Sequence, residues 1–154
     1  MTKSQKEKQA EKIYKIILKN IVIPLTGNKT TYLDQLDGIG HKLLGVKFAG
    51  VFPSDKIPKL NDLKKYAILN LDTSKEPGSH WVAIAKNGDD TYIYDSFGRC
   101  HTQIIKGLSY SGNGRIINTD LDAEQEVKET NCGARSVAFL CLFDRWGPDV
   151  AKLI

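Results

Sequence analysis

Cysteine is scarce in this chain, and the three present, Cys100, Cys132 and Cys141, form an odd set without paired spacing. That argues against a disulfide framework and for reduced thiols in an unsecreted protein. No stretch approaches the roughly 20 consecutive apolar residues needed to cross a bilayer. The lysine-rich N-terminal segment also lacks the uninterrupted apolar core of a secretion signal. There is no internal repeat and no low-complexity tract, which removes solenoid and linker-like architectures. What remains is globular composition, 41% hydrophobic and 26% charged over 154 residues, the size of one domain. Residues 1–154 are therefore expected to form a single soluble domain.

The formal charge of +4 is unevenly placed. Lys3, Lys6, Lys8, Lys12, Lys15 and Lys19, set against Glu7 and Glu11, account for all of it, and the chain beyond residue 20 is balanced. Such a basic arm suits either contact with nucleic acid or another anionic surface, or simply the solvated face of a helix. Between Ser4 and Asn20 the apolar residues Ala10, Ile13, Tyr14, Ile17 and then Ile21 recur at helical spacing until Pro24 stops the pattern. Residues 1–26 are thus expected as a basic amphipathic helix packed on the core.

Further along, Thr30 or Thr31 is placed to cap a second short helix carrying Leu33, Leu36, Leu43 and Leu44, weakened in its middle by Gly38 and Gly40. The segment from Phe48 to Pro58, with Gly50, Pro53 and Pro58, is punctuated like a loop. Tyr66 to Leu71 reads as a buried strand, Arg115 to Asn118 as another, and Arg99 to Gly114 as irregular chain. Cys132 to Trp146, with Val137, Phe139, Leu140 and Leu142, reads as a helix buried on most sides.

Two strand-like runs, His80 to Lys86 and Thr91 to Asp95, flank Asn87-Gly88-Asp89-Asp90, and Asn-Gly is a strong hairpin signal. A two-residue loop of Asn87 and Gly88 pairs Lys86 with Asp89 and sets His80 directly across from Asp95. A four-residue loop through Asp90 shifts the register by two and keeps both side chains on one face as diagonal neighbours. In either of these registers an imidazole and a carboxylate come together, whereas a three-residue loop would separate them.

Cys132 stands where the buried helix begins, behind Asn131 as its expected cap and ahead of Gly133. A helix N-terminus favours negative charge, so a thiol there ionises more readily. A small buried hydrophobe is the alternative for any lone cysteine. Cys141, nine positions on, falls on the opposite side of the helix and fits that alternative, so the two thiols are not expected to share a disulfide or a metal. Cys100 is expected as a bystander thiol in a loop. His41 and His101 have no acid placed beside them by strand geometry, whereas His80 does. Trp81 is expected on the opposite face from His80, in the core. A base, its orienting acid and a thiol at a helix tip are the parts that thiolate attack on a carbonyl requires. Gln125, in the polar run from Asp120 to Val127, has nothing local to distinguish it from a surface residue.

Gly78-Ser79-His80-Trp81, Tyr94-Asp95-Ser96-Phe97-Gly98 and Gln125 through Cys132-Gly133 stand in one order along the chain. In that order they resemble the signatures of the adenovirus-type maturation proteases, a group related to the SUMO- and ubiquitin-like-protein proteases. The likeness spans roughly residues 30 to 146, and through Phe48 to Pro58 it is closest to the compact enzymes of virophages and large DNA transposons. Two departures stand out: Asp95 replaces the glutamate of the adenoviral enzymes, and the chain is shorter than theirs. Cys100 falls where those enzymes carry an activator-linked cysteine, but its surroundings do not match.

The resemblance implies an α+β fold of the papain-like cysteine protease superfamily, with a mixed β-sheet packed on a central buried helix. It implies Cys132 as nucleophile, His80 as base, Asp95 as orienting acid and Gln125 as oxyanion donor, with no cofactor and no metal. It further implies a monomeric cysteine endopeptidase acting on viral capsid precursors at small, glycine-containing sites, in the virion and the host cytoplasm or nucleus. DNA contact through the basic N-terminal helix is part of the same expectation, and no membrane is involved. Two other readings are an isopeptidase removing ubiquitin-like modifiers and a non-enzymatic nucleic-acid or scaffold-binding module using the lysine-rich arm.

Overall fold

A computed structural model describes residues 2–27, 33–53, 55–70, 80–96, 115–119 and 131–154. The architecture is α+β, with a mixed five-stranded sheet in the order β1-β2-β3-β4-β5. The strands are β1 (Phe48–Pro53), β2 (Tyr66–Asn70), β3 (Trp81–Asn87), β4 (Asp90–Tyr94) and β5 (Ile116–Asn118). The helices are α1 (Lys3–Ile17), α2 (Ile23–Thr26), α3 (Leu33–Leu44), α4 (Cys132–Trp146) and α5 (Pro148–Ala151). Strands β2, β3 and β4 run antiparallel in sequence, while β1 joins β2 and β5 joins β4 in parallel.

Both faces of the central strands are buried, which is why β2 and β3 read as apolar runs rather than as alternating ones. Tyr66, Ile68, Trp81, Ala83, Ala85, Tyr92 and Tyr94 point into the larger core, which they share with α1, α3 and α4. Ala67, Leu69, Val82, Ile84 and Ile93 point the other way and pack with Leu60. Helix α4 is buried along most of its length, as its composition predicts. An aromatic column ties it to the sheet: Phe139 stacks on Tyr94 at 4.8 Å between ring centroids, and Phe143 meets Tyr66 and Tyr92 edge-on. Behind that column the Tyr14 hydroxyl of α1 shares a buried 2.7 Å hydrogen bond with the Tyr94 hydroxyl.

Two expectations are corrected. The loop read at Phe48 to Pro58 contains strand β1, with a bulge between Phe48 and Gly50. Glycine and proline there signal a strand at the sheet's edge, because Pro53 closes the strand where a missing N–H costs no interior ladder bond. Pro24 does not stop the N-terminal helix outright. A π-helical turn over Leu18–Val22, in which the Ile23 N–H reaches the Leu18 carbonyl, resets the chain so that Pro24 sits in the first turn of α2, where its missing N–H is harmless. The helix start also carries a capping box between Thr2 and Gln5 that the periodicity did not reveal. Thr30, Thr31, Leu71 and the segment from Arg99 to Gly114 lie outside the described residues. No helix among those described is long and apolar enough to cross a membrane.

The two glycines of α3 differ in consequence. A Cβ on Gly38 would meet nothing within 4 Å, whereas one on Gly40 would collide with the ring of Phe48. Gly38→Ala is therefore expected to stabilise the protein by about 0.4–1 kcal/mol. Gly40→Ala should destabilise it by about 1–3 kcal/mol through overpacking. Urea denaturation of the two variants checks both signs, and equal shifts would contradict the packing described.

Candidate active site

The β3–β4 hairpin turns at Gly88 and Asp89, with Asn87 paired to Asp90 and Lys86 to Thr91. Direct opposition of His80 and Asp95 is thus replaced by the register two residues away, in which they are diagonal neighbours on one face. The reason is local: Gly88 takes the left-handed conformation, φ +60°, that the turn demands. Asp90, meanwhile, is drawn into the strand by Arg115, whose Nη2 lies 2.9 Å from its carboxylate. His80 precedes β3 and Asp95 follows β4, so both stand at the open end of the hairpin. There His80 Nε2 meets Asp95 Oδ1 at 2.7 Å, with both residues buried.

Cys132 is the first residue of α4 and is also buried. Its sulfur lies close enough to the His80 side chain to interact with it and faces the backbone N–H groups of Trp81 and Gly133. With Nε2 held by Asp95, Nδ1 is the ring nitrogen left for exchange with sulfur. Burial pushes the Cys132 thiol up, but the nearby His80 ring, the two N–H groups and the imidazolium's charge outweigh it, and the thiol ionises below its ordinary range. For His80 the balance is the mirror image. Burial favours the neutral ring, while the bond to Asp95, the nearby Cys132 sulfur and their negative charges outweigh it and raise its proton affinity. A thiolate beside an imidazolium, steadied by a buried carboxylate, is the form these shifts favour.

Asn131 occupies the cap position without capping. Its Oδ1 instead accepts from Arg135 Nε at 3.2 Å. No side-chain cap therefore competes with sulfur for the N–H groups at the tip of α4. Trp81 is buried in the core as expected, in the same cluster as Cys132. Cys141 is buried, its thiol pushed up to about 11 by desolvation, and both described cysteines are free thiols. His41 is half exposed and bonds the Asp37 carbonyl at 2.8 Å one helical turn earlier, a neighbour that helix rather than strand spacing supplies.

Gln125, Gly78, Ser79, Phe97, Gly98, Cys100 and His101 lie outside the described residues. Reasoning from the sequence overlooked Ser136, whose buried hydroxyl reaches the Cys132 carbonyl at 2.9 Å and the Trp81 carbonyl at 3.3 Å. Its signal was a serine one turn after Cys132 in an otherwise apolar helix. Among the described residues no cluster of three or more His, Cys, Asp or Glu side chains is arranged to hold a metal ion. No protein-family model matches the chain, and no curated protein matches it.

The electrostatics give a direct expectation for pH. The rate of Cys132 carboxamidomethylation, followed by peptide mapping, should rise through an inflection below the value of about 8.5 of an ordinary cysteine. In His80→Ala, burial loses its largest counterweight, only the two backbone N–H groups remain against it, and the inflection should rise. An inflection unchanged by the substitution would break the link between the two side chains.

Proposed function

We propose that this chain is a cysteine endopeptidase in which Cys132 is the nucleophile, His80 the base and Asp95 the acid that orients it. The observation that carries the reading is the buried series Asp95–His80–Cys132, with its 2.7 Å carboxylate–imidazole contact and the Cys132 sulfur set beside the His80 ring at a helix N-terminus. In the reaction the Cys132 thiolate attacks the scissile carbonyl carbon and forms a C–S bond. The C–N bond then breaks as the His80 imidazolium protonates the departing amine. Water attacks the resulting thioester while neutral His80 takes its proton, releasing the acid and restoring the thiolate–imidazolium pair. Asp95, on Nε2, holds the ring with its other nitrogen toward sulfur throughout.

The developing oxyanion is assigned to the backbone N–H of Cys132, at the start of α4, together with Gln125. The Cys132 N–H belongs to the helix's unbonded first turn, and the cap side chain is engaged elsewhere. The α+β arrangement is read as the adenovirus-type branch of the papain-like cysteine proteases, with the hairpin of a mixed sheet bearing acid and base and a buried helix bearing the nucleophile. In this reading the enzyme is a monomer that needs no cofactor. It cuts viral capsid precursors at small, glycine-containing sites in the virion and in the host cytoplasm or nucleus.

The basic arm has a place in the same proposal as a DNA contact. Lys8, Lys12, Lys15 and Lys19, with Glu7 and Glu11 among them, line a groove of about 680 Å³ along α1, a net excess of two positive charges. None of its lining residues comes from β3, β4 or α4, so binding there leaves the triad unobstructed.

Cleavage of capsid-protein precursors, followed by mass spectrometry, tests the assignment. Cys132→Ala should abolish cleavage, and Gln125→Ala should lower kcat by about 10²–10³ with a small change in KM. Wild-type cleavage by purified Cys132→Ala would refute the nucleophile, and wild-type kcat in Gln125→Ala would refute the oxyanion donor.

A further inference from the structure

Ser136 lies one turn into α4 with its side chain fully buried. A helical serine commonly satisfies its hydroxyl on the carbonyl four residues back, and the 2.9 Å contact with the Cys132 carbonyl is that bond. The second acceptor is not explained by the helix. The Trp81 carbonyl, 3.3 Å away, belongs to β3 and to the residue immediately after His80. Trp81 also directs its backbone N–H toward the Cys132 sulfur. The two polar backbone groups of a single residue at the start of β3 thus meet the first turn of α4, one at the nucleophile and one at Ser136. Because a hydroxyl has a single proton, Ser136 serves one carbonyl at a time or is shared between them, and when it reaches the Trp81 carbonyl it spans the two elements that carry base and nucleophile.

We propose that Ser136 is a positioning residue: its hydroxyl fixes the first turn of α4 against the start of β3 and so sets how the Cys132 sulfur meets the His80 ring. The inference rests on reading Cys132 and His80 as a proton-sharing pair. Ser136 touches no reacting atom and takes no proton from the substrate. Its part is geometric, because a hydrogen bond between thiol and imidazole weakens steeply with length and angle, and the carbonyls it holds follow directly on each partner. Loss of the hydroxyl frees the helix tip to move relative to the strand without removing any member of the triad. A hydroxyl that served only the helix would be dispensable, since alanine is the better helix former.

The test is the pH profile of Cys132 carboxamidomethylation in the full chain, with peptide mapping to separate Cys132 from the other thiols. Ser136→Ala should raise the inflection and, at a pH below the wild-type inflection, slow the reaction by up to about tenfold, the effect of one pKa unit on the thiolate fraction. Ser136→Thr, which keeps the hydroxyl, should restore both. Should Ser136→Ala fail to fold, Ser136→Val and Ser136→Thr make the same comparison at matched volume, with the shift expected in valine alone. A folded Ser136→Ala or Ser136→Val with the wild-type profile would overturn the proposal and leave the protease reading standing. An ordinary thiol inflection in the wild type itself would instead overturn the pairing on which both depend.

Discussion

Three ionisable side chains are buried together at the open end of the β3–β4 hairpin, and they are tolerable there only because each answers another's charge or hydrogen-bonding need. An isolated carboxylate, imidazolium or thiolate in such a place would carry a desolvation cost of several kcal/mol. Asp95 against His80, and His80 against Cys132, convert that cost into mutual stabilisation of the charged forms. The arrangement is therefore cooperative, since removing any member leaves the remaining ones buried without their counterweight. That same cooperativity is what a thiol nucleophile needs, because it favours the reactive ionisation state before any substrate arrives.

The rest of the fold holds the hairpin's end and the helix tip in register. Helix α4 is wrapped by core on most sides and cannot slide without breaking the aromatic column of Phe139, Tyr94 and Phe143. Tyr94 is the last residue of β4 and the neighbour of Asp95, so the stack that seats the helix also seats the acid. Tyr14 extends that constraint to α1 through its hydroxyl bond to Tyr94. The lysine-rich helix is thus joined to the triad's scaffold by a buried hydrogen bond and a shared core, while its charged face stays turned outward along the groove.

Much of this was legible in the sequence where one local rule decides the outcome. Helical periodicity found α1 and α4, and the Asn-Gly signal found the hairpin. Face parity brought His80 and Asp95 together even though the observed register differs by two residues from direct opposition. The errors arose where tertiary context overrides a local cue. Gly50 and Pro53 look like loop residues until a parallel neighbour makes Phe48–Pro53 an edge strand. Asn131 looks like a cap until Arg135 claims its oxygen. The proximity of Cys132 to His80 has no local signature, because it depends on how a distant helix docks on the sheet. In the sequence it was reachable only through the order of motifs, and Ser136, which belongs to none of them, went unnoticed.

The central claim is that the His80 imidazole and the Cys132 sulfur share a proton, and NMR titration of the His80 ring in isotopically labelled protein addresses it most directly. His80→Gln identifies its signal among the three histidines. In the wild type the imidazolium should persist above the ordinary value of about 6.5, and in Cys132→Ala its midpoint should fall as the sulfur's share of the stabilisation is lost. A His80 midpoint that is the same with and without the Cys132 sulfur would contradict the account.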